Sequence, residues 1–397
     1  MAKNKKSGQS IIGTILAVVV VIIGALIYAV TGIDFLGIIE DGVPPVDPAP
    51  TVSGEVRTIP IEQGYGATDG FWTLYFTDPL NTRDRSQYQN GVDEQLAAEI
   101  GRVERTLDIA AFELNNDVIT QAILDAHNRG VAVRMVVDDE HTLEDDDSTI
   151  VEIELAGIEI VDDDRSGLMH NKFMIMDRNR VWMGSMNFTQ NGVYRNNNNA
   201  LLLRSPQVVS TYQAEFNEMF ERGEFGVRSD PSNTANFTQN GIPIEIYFAS
   251  ENEVIDELLS EINNARNTIR FMTFSFTRDD LGQALVARAE NGVVVTGVSE
   301  VTGSQTQYAE LPRLYCAGLD VYQDGNNGVL HHKVFIIDER TVITGSFNYS
   351  NNAVESNDEN VLIIRNADIA ALYLQEFERV RSIARVPDAE DMACATR

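Results

Sequence analysis

The stretch His170-Asn-Lys-Phe-Met-Ile-Met-Asp177, followed by Gly184-Ser-Met-Asn187, recurs 161 residues later in the chain. The second copy reads His331-His-Lys-Val-Phe-Ile-Ile-Asp338, followed by Gly345-Ser-Phe-Asn348. The chain has only five lysines, and the three outside these copies, at positions 3, 5 and 6, precede an apolar run. A lysine kept two residues after a histidine in both copies indicates a duplicated site that binds and attacks a phosphate.

Side chains of an extended strand repeat on one side every two residues. His170 and Lys172 are therefore predicted to share one side of a strand, as are the catalytic candidates His331 and Lys333. His332 should then face the core. The two aspartates lie five residues beyond the lysines and point to the opposite face, so their predicted role is structural. These aspartates are Asp177 and Asp338.

Each Gly-Ser pair is predicted to end the next strand, where hydroxyls, backbone N–H groups and amides can hold phosphate oxygens. The predicted phosphate-binding residues are Ser185, Asn187, Ser346 and Asn348, and the structural glycines are Gly184 and Gly345. Lysines would neutralise the non-bridging oxygens. One neutral histidine would attack phosphorus and form a phosphohistidine, while the other, protonated, would donate to the leaving oxygen. This chemistry requires no metal and no other cofactor.

The motifs are embedded in a repeated order of strands and helices. In the first half, strands at 74–76, 107–112 and 131–137 alternate with helices at 92–103 and 117–129. In the second half, strands at 244–248, 269–276 and 293–298 alternate with helices at 253–266 and 280–291. This alternation predicts two similar α/β sandwich halves, each with a mainly parallel sheet, related by a pseudo-twofold axis with the active site at their junction. The predicted parts are a first half at 56–222, a connector at 223–241, a second half at 242–386 and a tail at 387–397.

The N-terminal region reads as a membrane anchor. Residues 11–30 form a run of twenty uncharged residues, which is long enough to span a bilayer as a helix. Because the three lysines precede it, residues 1–10 are predicted to be cytoplasmic and the catalytic region extracytoplasmic, in a single-pass protein. A proline-rich linker at 38–55 would follow, and a cleaved signal peptide is the alternative. The two cysteines, Cys316 and Cys394, could pair in an exported domain.

The motifs resemble the phospholipase D superfamily, whose pattern is His-x-Lys-x4-Asp followed by Gly-Ser-x-Asn, and the resemblance extends from about Thr73 to Ala384. The family implies His170 as nucleophile and His331 as acid/base. It also implies that Glu359, downstream of the second copy, orients a catalytic histidine. The equivalent of Glu359 in the first copy is Asn198, which leaves three alternatives. The two histidines would differ in basicity, a carboxylate from elsewhere in the chain would take the role of Glu359 in the first copy, or the first site would be weakened.

Four functions are compatible with these residues. We expect first a membrane-anchored phosphodiesterase acting on phospholipid head groups, because a net charge of −30 disfavours long polyanions. The alternatives within the superfamily are a metal-independent endonuclease, since residues 345–350 and 357–360 resemble that branch, and a cardiolipin-type phosphatidyl transferase. A non-catalytic phosphate-binding module is the fourth. The expected partners are phospholipid and membrane, with nucleic acid as an alternative substrate and no obligate protein partner.

Overall fold

The structure, a computed structural model, describes residue 52, residues 55–392 and residue 394. The predicted cytoplasmic segment, the predicted transmembrane segment 11–30 and nearly all of the predicted linker lie outside the described residues. Within the described part, none of the helices has the length and apolar character needed to cross a bilayer.

The first half contains nine strands and five α-helices among the described residues. The strands are β1 Arg57–Ile61, β2 Gly64–Asp69, β3 Trp72–Phe76, β4 Thr106–Ala111, β5 Ala132–Val137, β6 Glu159–Asp162, β7 Lys172–Met176, β8 Arg180–Gly184 and β9 Asn199–Leu203. The helices are α1 Val92–Ile100, α2 Asp117–Asn128, α3 Ile150–Leu155, α4 Gln190–Tyr194 and α5 Pro206–Arg222. Single turns of 3₁₀ or π helix lie at Arg85–Gln87, Asp139–Leu143 and Gly226–Arg228.

As far as the structure describes it, the second half has eight strands in a similar order. The strands are β10 Ala235–Gln239, β11 Ile242–Ala249, β12 Thr268–Thr273, β13 Val294–Ser299, β14 Asp320–Gln323, β15 Lys333–Ile337, β16 Thr341–Gly345 and β17 Glu359–Arg365. The helices are α6 Val254–Asn264, α7 Asp279–Glu290, α8 Val301–Ser304, α9 Leu311–Cys316, α10 Asn351–Glu355 and α11 Ala367–Ile383. Strand β10 falls within the predicted connector and pairs with β11, so that part of the connector belongs to the second sheet.

The two sheets are mixed, and the prediction of mainly parallel sheets is wrong. Their orders are β1-β2-β3-β9-β8-β7-β4-β5-β6 and β10-β11-β17-β16-β15-β12-β13-β14. In each sheet the last three strands run parallel, and each is joined to the next by a crossover connection that contains a helix. The motif strands β7 and β15 instead form antiparallel hairpins with β8 and β16, since the connecting turn is too short for a crossover.

Each sheet buries its own apolar core against the helices of its half. In the first half, residues of α1 and α2 such as Leu96 and Ile123 pack with Met174 of β7. In the second half, Leu258 of α6 and Leu285 of α7 pack in the same way against their sheet. Both motif strands are buried along their whole length, so packing on both faces holds their positions.

Two short backbone bridges join the halves next to the motifs. Met169, which precedes the first motif histidine, bridges to Asp358, and Leu330, which precedes the second, bridges to Asn197. These bridges include hydrogen bonds of 2.8 Å from Asp358 N to the carbonyl of Leu168 and 3.0 Å from His331 N to the carbonyl of Asn197. The start of each motif is therefore held by the segment that follows the Gly-Ser-x-Asn element of the other half.

The two cysteines form a disulfide between α9 and the C-terminal segment. Cys316 and Cys394 are 78 residues apart in sequence, and their Cα atoms lie 5.5 Å apart. Met392, two residues before the second cysteine, is buried in the core of the second half. Pairing therefore ties part of the predicted tail to the folded domain.

Candidate active site

The two motif histidines meet at the junction, and each is held by residues of the opposite half. His170 Nδ1 lies 2.7 Å from Glu359 Oε2. His331 Nδ1 lies 3.0 Å from the carbonyl oxygen of Ser185 and 3.0 Å from Asn198 Oδ1. Both rings are nearly buried, at 4% and 8% exposure respectively. The duplicated motifs therefore contribute to one site rather than to two separate faces.

These contacts fix the tautomers of both imidazoles. All the partners of the Nδ1 atoms are acceptors, and Asn198 is oriented by its own amide, which donates to the carbonyl of Gly192 at 2.8 Å. Nδ1 must therefore carry the proton in each ring. This leaves Nε2 of both His170 and His331 available, one as a nucleophile toward phosphorus and the other, when protonated, as a donor to an oxygen.

The two lysines occupy equivalent places beside the histidines. Lys172 Nζ donates to the carbonyl of His170 at 2.6 Å, and Lys333 Nζ donates to the carbonyl of His331 at 2.9 Å. Each ammonium group also lies over a phenylalanine ring, 4.4 Å from the centroid of Phe112 in the first half and 4.8 Å from that of Phe274 in the second. The ring contact and the carbonyl contact position each ammonium group without neutralising its charge, so it can bind an anion.

Burial of the site favours the neutral forms of its titratable groups. Burial lowers the pKa of Lys172 to about 7 and lowers that of Lys333 well below its ordinary value. Burial, followed by the nearby lysine charges, lowers the pKa of both His170 and His331 well below the ordinary value. Burial also raises the pKa of Glu359 to about 7. A bound phosphodiester would supply the negative charge that these buried lysines lack.

The two motif serines hold the histidine partners. Ser346 Oγ donates to Glu359 Oε2 at 2.7 Å, and Ser185 Oγ donates to Asn198 Oδ1 at 2.8 Å. Both hydroxyls also accept a backbone N–H, and both residues are fully buried. In this structure both serine hydroxyls therefore position the histidine partners, and their predicted contact with a phosphate stays a prediction.

The motif glycines are required by the backbone. Gly184 and Gly345 have φ values of +148° and +150°. A Cβ at either position would collide with the carbonyl oxygen of Asn199 or Asn360 on the neighbouring strand. Glycine is therefore needed for the backbone conformation that brings the following serine hydroxyl within hydrogen-bond distance of its acceptor.

Asp177 and Asp338 stabilise the loops that enter β4 and β12. The carboxylate of Asp177 accepts hydrogen bonds from the backbone N–H groups of residues 104, 105 and 106 at 2.7–3.2 Å. The carboxylate of Asp338 accepts three equivalent bonds from residues 266, 267 and 268 at 2.7–3.1 Å. These contacts hold the backbone of the two loops, which fits the structural role predicted for both aspartates.

The two motif asparagines have different surroundings. The side-chain amide of Asn187 donates to Glu113 Oε2, and its Oδ1 is buried without a hydrogen-bond partner among the described residues. Within the part of the chain that the structure describes, Asn348 Oδ1 is likewise buried without a hydrogen-bond partner. Ser275 is the second-half equivalent of Glu113, since each residue directly follows the phenylalanine whose ring contacts the lysine of that half. The carboxylate of Glu113 contributes to the electrostatics of both lysines, so it belongs to the site.

Sequence reasoning missed a second pair of equivalent carboxylates that anchors the motifs. Asp138 Oδ2 accepts the backbone N–H of Met169 at 3.0 Å, and Glu300 Oε2 accepts that of Leu330 at 2.8 Å. Both acids directly follow their strands, β5 and β13, and both are buried. Each acid directly follows the corresponding strand of its half, and this repeated position is the sequence signal from which the pair could have been identified.

Two further histidines lie close to the motifs. His332 is fully buried behind β15, where it contacts Asn199 Oδ1 at 3.1 Å and Glu376 Oε1 at 2.8 Å. His141 had no predicted role, but its Nδ1 lies 2.8 Å from Asp138 Oδ1. Its ring centroid is 4.6 Å from Phe112, whose ring is also 4.6 Å from that of His170.

One group of acidic side chains in the described part of the chain could hold a cation. Carboxylate oxygens of Asp138, Asp139 and Asp163 lie within 4.8 Å of one another. None of the three belongs to the repeated motifs, and Asp138 is already engaged by Met169 and His141. The phosphate chemistry described above uses lysine and histidine, and none of its steps requires this group.

Each half of the chain, taken separately, matches the same protein family. Residues 96–220 and 258–381 each match the family described as cardiolipin synthase, PLD-like domain. These segments make up more than half of the chain, and each contains one complete copy of the motif.

Two proteins of known name and one solved structure are similar to this chain. The mitochondrial cardiolipin hydrolase of Chlamydomonas reinhardtii is 36% identical over 124 residues, which are 31% of this chain and 54% of that protein. The phospholipase D of Rickettsia bellii is 32% identical over 120 residues, which are 30% of this chain and 60% of that protein. The chain thus spans a little over half the length of these relatives. The phosphatidylserine synthase of Haemophilus influenzae shares the fold, with a TM-score of 0.56 and 14% identity over 75% of this chain and 85% of that one. The chain is therefore a member of the phospholipase D-like family.

Proposed function

We propose that the protein is a phosphodiesterase that hydrolyses head-group phosphodiester bonds of phospholipids through a covalent phosphohistidine. The observation that carries this proposal is the convergence of His170, Lys172, His331 and Lys333 at one buried junction. Two imidazoles with free Nε2 atoms supply a nucleophile and an acid. Two lysines supply the positive charge that a transferring phosphoryl group requires.

The different partners of the two histidines support His170 as the nucleophile. Phosphorylation of Nε2 while Nδ1 keeps its proton gives the ring a positive charge. The carboxylate of Glu359 can stabilise that charge on His170, whereas the amide and carbonyl partners of His331 are neutral. A protonated His331 without a carboxylate partner is also the stronger acid, as protonation of the leaving oxygen requires.

The charge of the chain and the names of its relatives support a lipid substrate. With 60 acidic and 30 basic residues, the chain has a formal net charge of −30, which disfavours binding to a long polyanion. The relatives reported above are named a cardiolipin hydrolase and a phospholipase D. Metal-independent nuclease and phosphatidyl transferase activities use the same covalent intermediate and are the outcomes that a substrate assay must separate.

Membrane anchoring through residues 11–30 is part of the proposal. A helix there would keep the catalytic halves close to lipid, with the N-terminus cytoplasmic and the catalytic region on the other side. Resistance to alkaline carbonate extraction, combined with protease accessibility of the catalytic region from outside the cytoplasm, is the expected result. Release of the full chain by carbonate would overturn the anchoring.

The substrate assay offers phosphatidylcholine, cardiolipin and single-stranded DNA to the purified full chain in detergent micelles with excess chelator. Release of choline, or of phosphatidic acid from either lipid, supports the proposal. Cleavage of DNA alone would replace it with a nuclease, and formation of new phospholipids without hydrolysis would replace it with a transferase. Binding without turnover of any substrate would identify a phosphate-binding module.

The role of His331 has its own test. We expect His331→Asn to abolish turnover while the melting temperature stays close to that of the wild type, because asparagine can keep a hydrogen bond to Asn198 but cannot carry the transferred proton. Turnover by this variant at the wild-type rate contradicts the assigned acid/base role.

A further inference from the structure

A second group of acidic side chains lies at the junction of the two halves, outside the repeated motifs. Helix α5 of the first half contributes Glu215 and Glu218. The second half contributes Glu251, shortly after β11, and Asp358, directly before β17. Glu251 is partly exposed and the other three residues are buried. We call these four residues the junction carboxylates.

The fold brings the junction carboxylates to one place. Strands β11 and β17 pair antiparallel, so Ser250, which follows β11, and Asp358, which precedes β17, lie at the same edge of the sheet. Helix α5 packs across this edge, since the ring centroids of Tyr212 and Phe248 are 5.3 Å apart. Glu215 follows Tyr212 by three residues and is therefore on the same face of the helix.

Two of the junction carboxylates are paired with arginines and two are not. Asp358 forms an ion pair with Arg165, and Glu218 forms one at 3.2 Å with the last arginine of its own helix. Within the part of the chain that the structure describes, Glu215 and Glu251 have no ion pair of this kind. When ionised, these two carboxylates therefore bring two negative charges that no side chain balances.

Four buried oxygen atoms at this place receive no hydrogen bond from another described residue. They are Glu215 Oε1, both carboxylate oxygens of Glu251 and the hydroxyl oxygen of Ser250. The other oxygen of Glu215 accepts a hydrogen bond from the amide of Asn233 at 3.1 Å, and Glu215 is completely buried. A buried oxygen without a partner costs free energy, so these atoms point to a bound group that accepts their lone pairs.

Protons alone satisfy this group poorly. Burial raises the pKa of Glu215 well above its ordinary value and that of Glu251 to about 8, and repulsion from Asp358 and Glu218 raises both further. Protonation removes the charge, but each new O–H group then needs an acceptor of its own. A divalent cation would balance both charges and bind the lone pairs at the same time.

We propose that Glu215, Ser250 and Glu251 bind one divalent cation, of the calcium type, that joins the two halves of the chain. The three residues offer only oxygen atoms, which favours a hard cation such as Ca²⁺ over Zn²⁺. Calcium takes about six to eight oxygen ligands and accepts bidentate carboxylates, so water would complete the four protein oxygens. Its role is structural, because it holds α5 to the strand that begins with Glu359, and no step of the proposed phosphodiesterase uses it.

The chain contains a matched control in the group formed by Asp138, Asp139 and Asp163. Those carboxylates lie within 4.8 Å of one another, as the three acids of a cation site would. They are, however, already bound by the protein: Asp163 accepts the N–H of Asp139 at 3.1 Å and lies 3.5 Å from Arg165. We therefore expect calcium to bind at the junction carboxylates and not at this group.

The test measures calcium binding to the full chain in detergent micelles at pH 8, after treatment with a chelator and dialysis to remove it. Titration calorimetry with CaCl₂ should find one saturable site per chain. At a calcium concentration about a hundred times Kd, the melting temperature should rise by about 4 °C, and KCl of equal ionic strength should not reproduce this rise. Glu215→Gln and Glu251→Gln should each lose the binding and the rise, whereas Asp139→Asn should keep both.

The variants also separate loss of the ion from loss of the fold. Without calcium, both glutamine variants should melt at or above the temperature of the wild type, because each substitution removes a buried unpaired charge. Ser250→Ala removes one ligand and no charge, and should raise the Kd for calcium about tenfold.

Three results would overturn the inference. The first is the absence of saturable calcium binding to the wild type. The second is calcium binding that Asp139→Asn loses and Glu251→Gln keeps, which would locate the ion at the other acidic group. The third is a rise in melting temperature that KCl reproduces or that Glu251→Gln retains, which would identify screening of the net charge of −30 instead of a site.

Discussion

Replacing Glu359 with glutamine tests whether its charge stabilises the covalent intermediate. The substitution keeps the size of the side chain and an acceptor for His170 Nδ1, which lies 2.7 Å from Glu359 Oε2. It removes the negative charge that faces the ring when His170 becomes cationic. Two opposite charges about 4 Å apart attract by about 4 kcal/mol at an effective dielectric constant of about 20.

Because glutamine keeps part of the hydrogen bond, we expect Glu359→Gln to lower kcat by about a hundredfold to a thousandfold, corresponding to about 3–4 kcal/mol. The assay is single-turnover cleavage of a lipid substrate with alkaline quenching, which measures how fast the phosphohistidine forms. The amount of intermediate should fall together with the rate of its formation. Binding of the intact substrate should change much less, because the neutral His170 needs no counter-charge.

The control is Glu376→Gln, which removes the same kind of contact from the other side of the sheet. Glu376 Oε1 lies 2.8 Å from His332 Nε2, and both residues are fully buried. This variant should lose stability, while the folded fraction keeps most of its kcat. A Glu359→Gln enzyme within twofold of the wild-type kcat would refute the reasoning, as would an equal loss of kcat in both variants.

Three other perturbations follow from the same contacts. Burial lowers the pKa of Lys172 to about 7, so its charge is present below that pH and is lost above it. A non-hydrolysable lipid phosphonate should therefore bind more weakly as the pH rises from 6 to 8, and its measured inhibition constant should increase. Asp338→Ala removes the acceptor of three backbone N–H groups and should cost about 1–3 kcal/mol of unfolding free energy in urea titrations, with kcat unchanged. Cys394→Ser opens a loop of 78 residues closed by Cys316 and should lower the unfolding free energy by up to about 4 kcal/mol, whereas a reductant should leave that variant unaffected.

The order of the local elements could be predicted from the sequence, but the sheet topology could not. The strand at β4 and the helix at α2, for example, lie within a residue or two of their predicted bounds, because apolar periodicity and the glycine at the helix end are local signals. The direction of β7 relative to β4 depends on which strands pair. That pairing follows from the hairpin turn at Asp177 and the long-range register from Leu107 to Met176, which periodicity does not encode.

The motif residues were identified from the sequence, but Glu113, Asp138 and Glu300 and the exchange of histidine partners between the halves were not. Comparing the two copies shows that Asn198 replaces Glu359, which indicates unequal histidines. It does not show that the glutamate serves His170 of the other copy. That pairing depends on the bridges from Met169 to Asp358 and from Leu330 to Asn197, which form only when the halves meet.

The charges of the assembled site favour a diester with a single negative charge. With both lysines protonated and Glu359 ionised, the buried centre has one positive charge in excess, and one diester anion balances it. Protonation of His331 for catalysis adds a second excess positive charge, and the carboxylate of Glu113, which acts on both lysines, reduces that excess. A phosphate monoester, with two negative charges, would exceed this balance in a site where burial makes each unpaired charge costly. Under the proposed function, burial of the lysines would therefore favour a phosphodiester over a phosphate monoester.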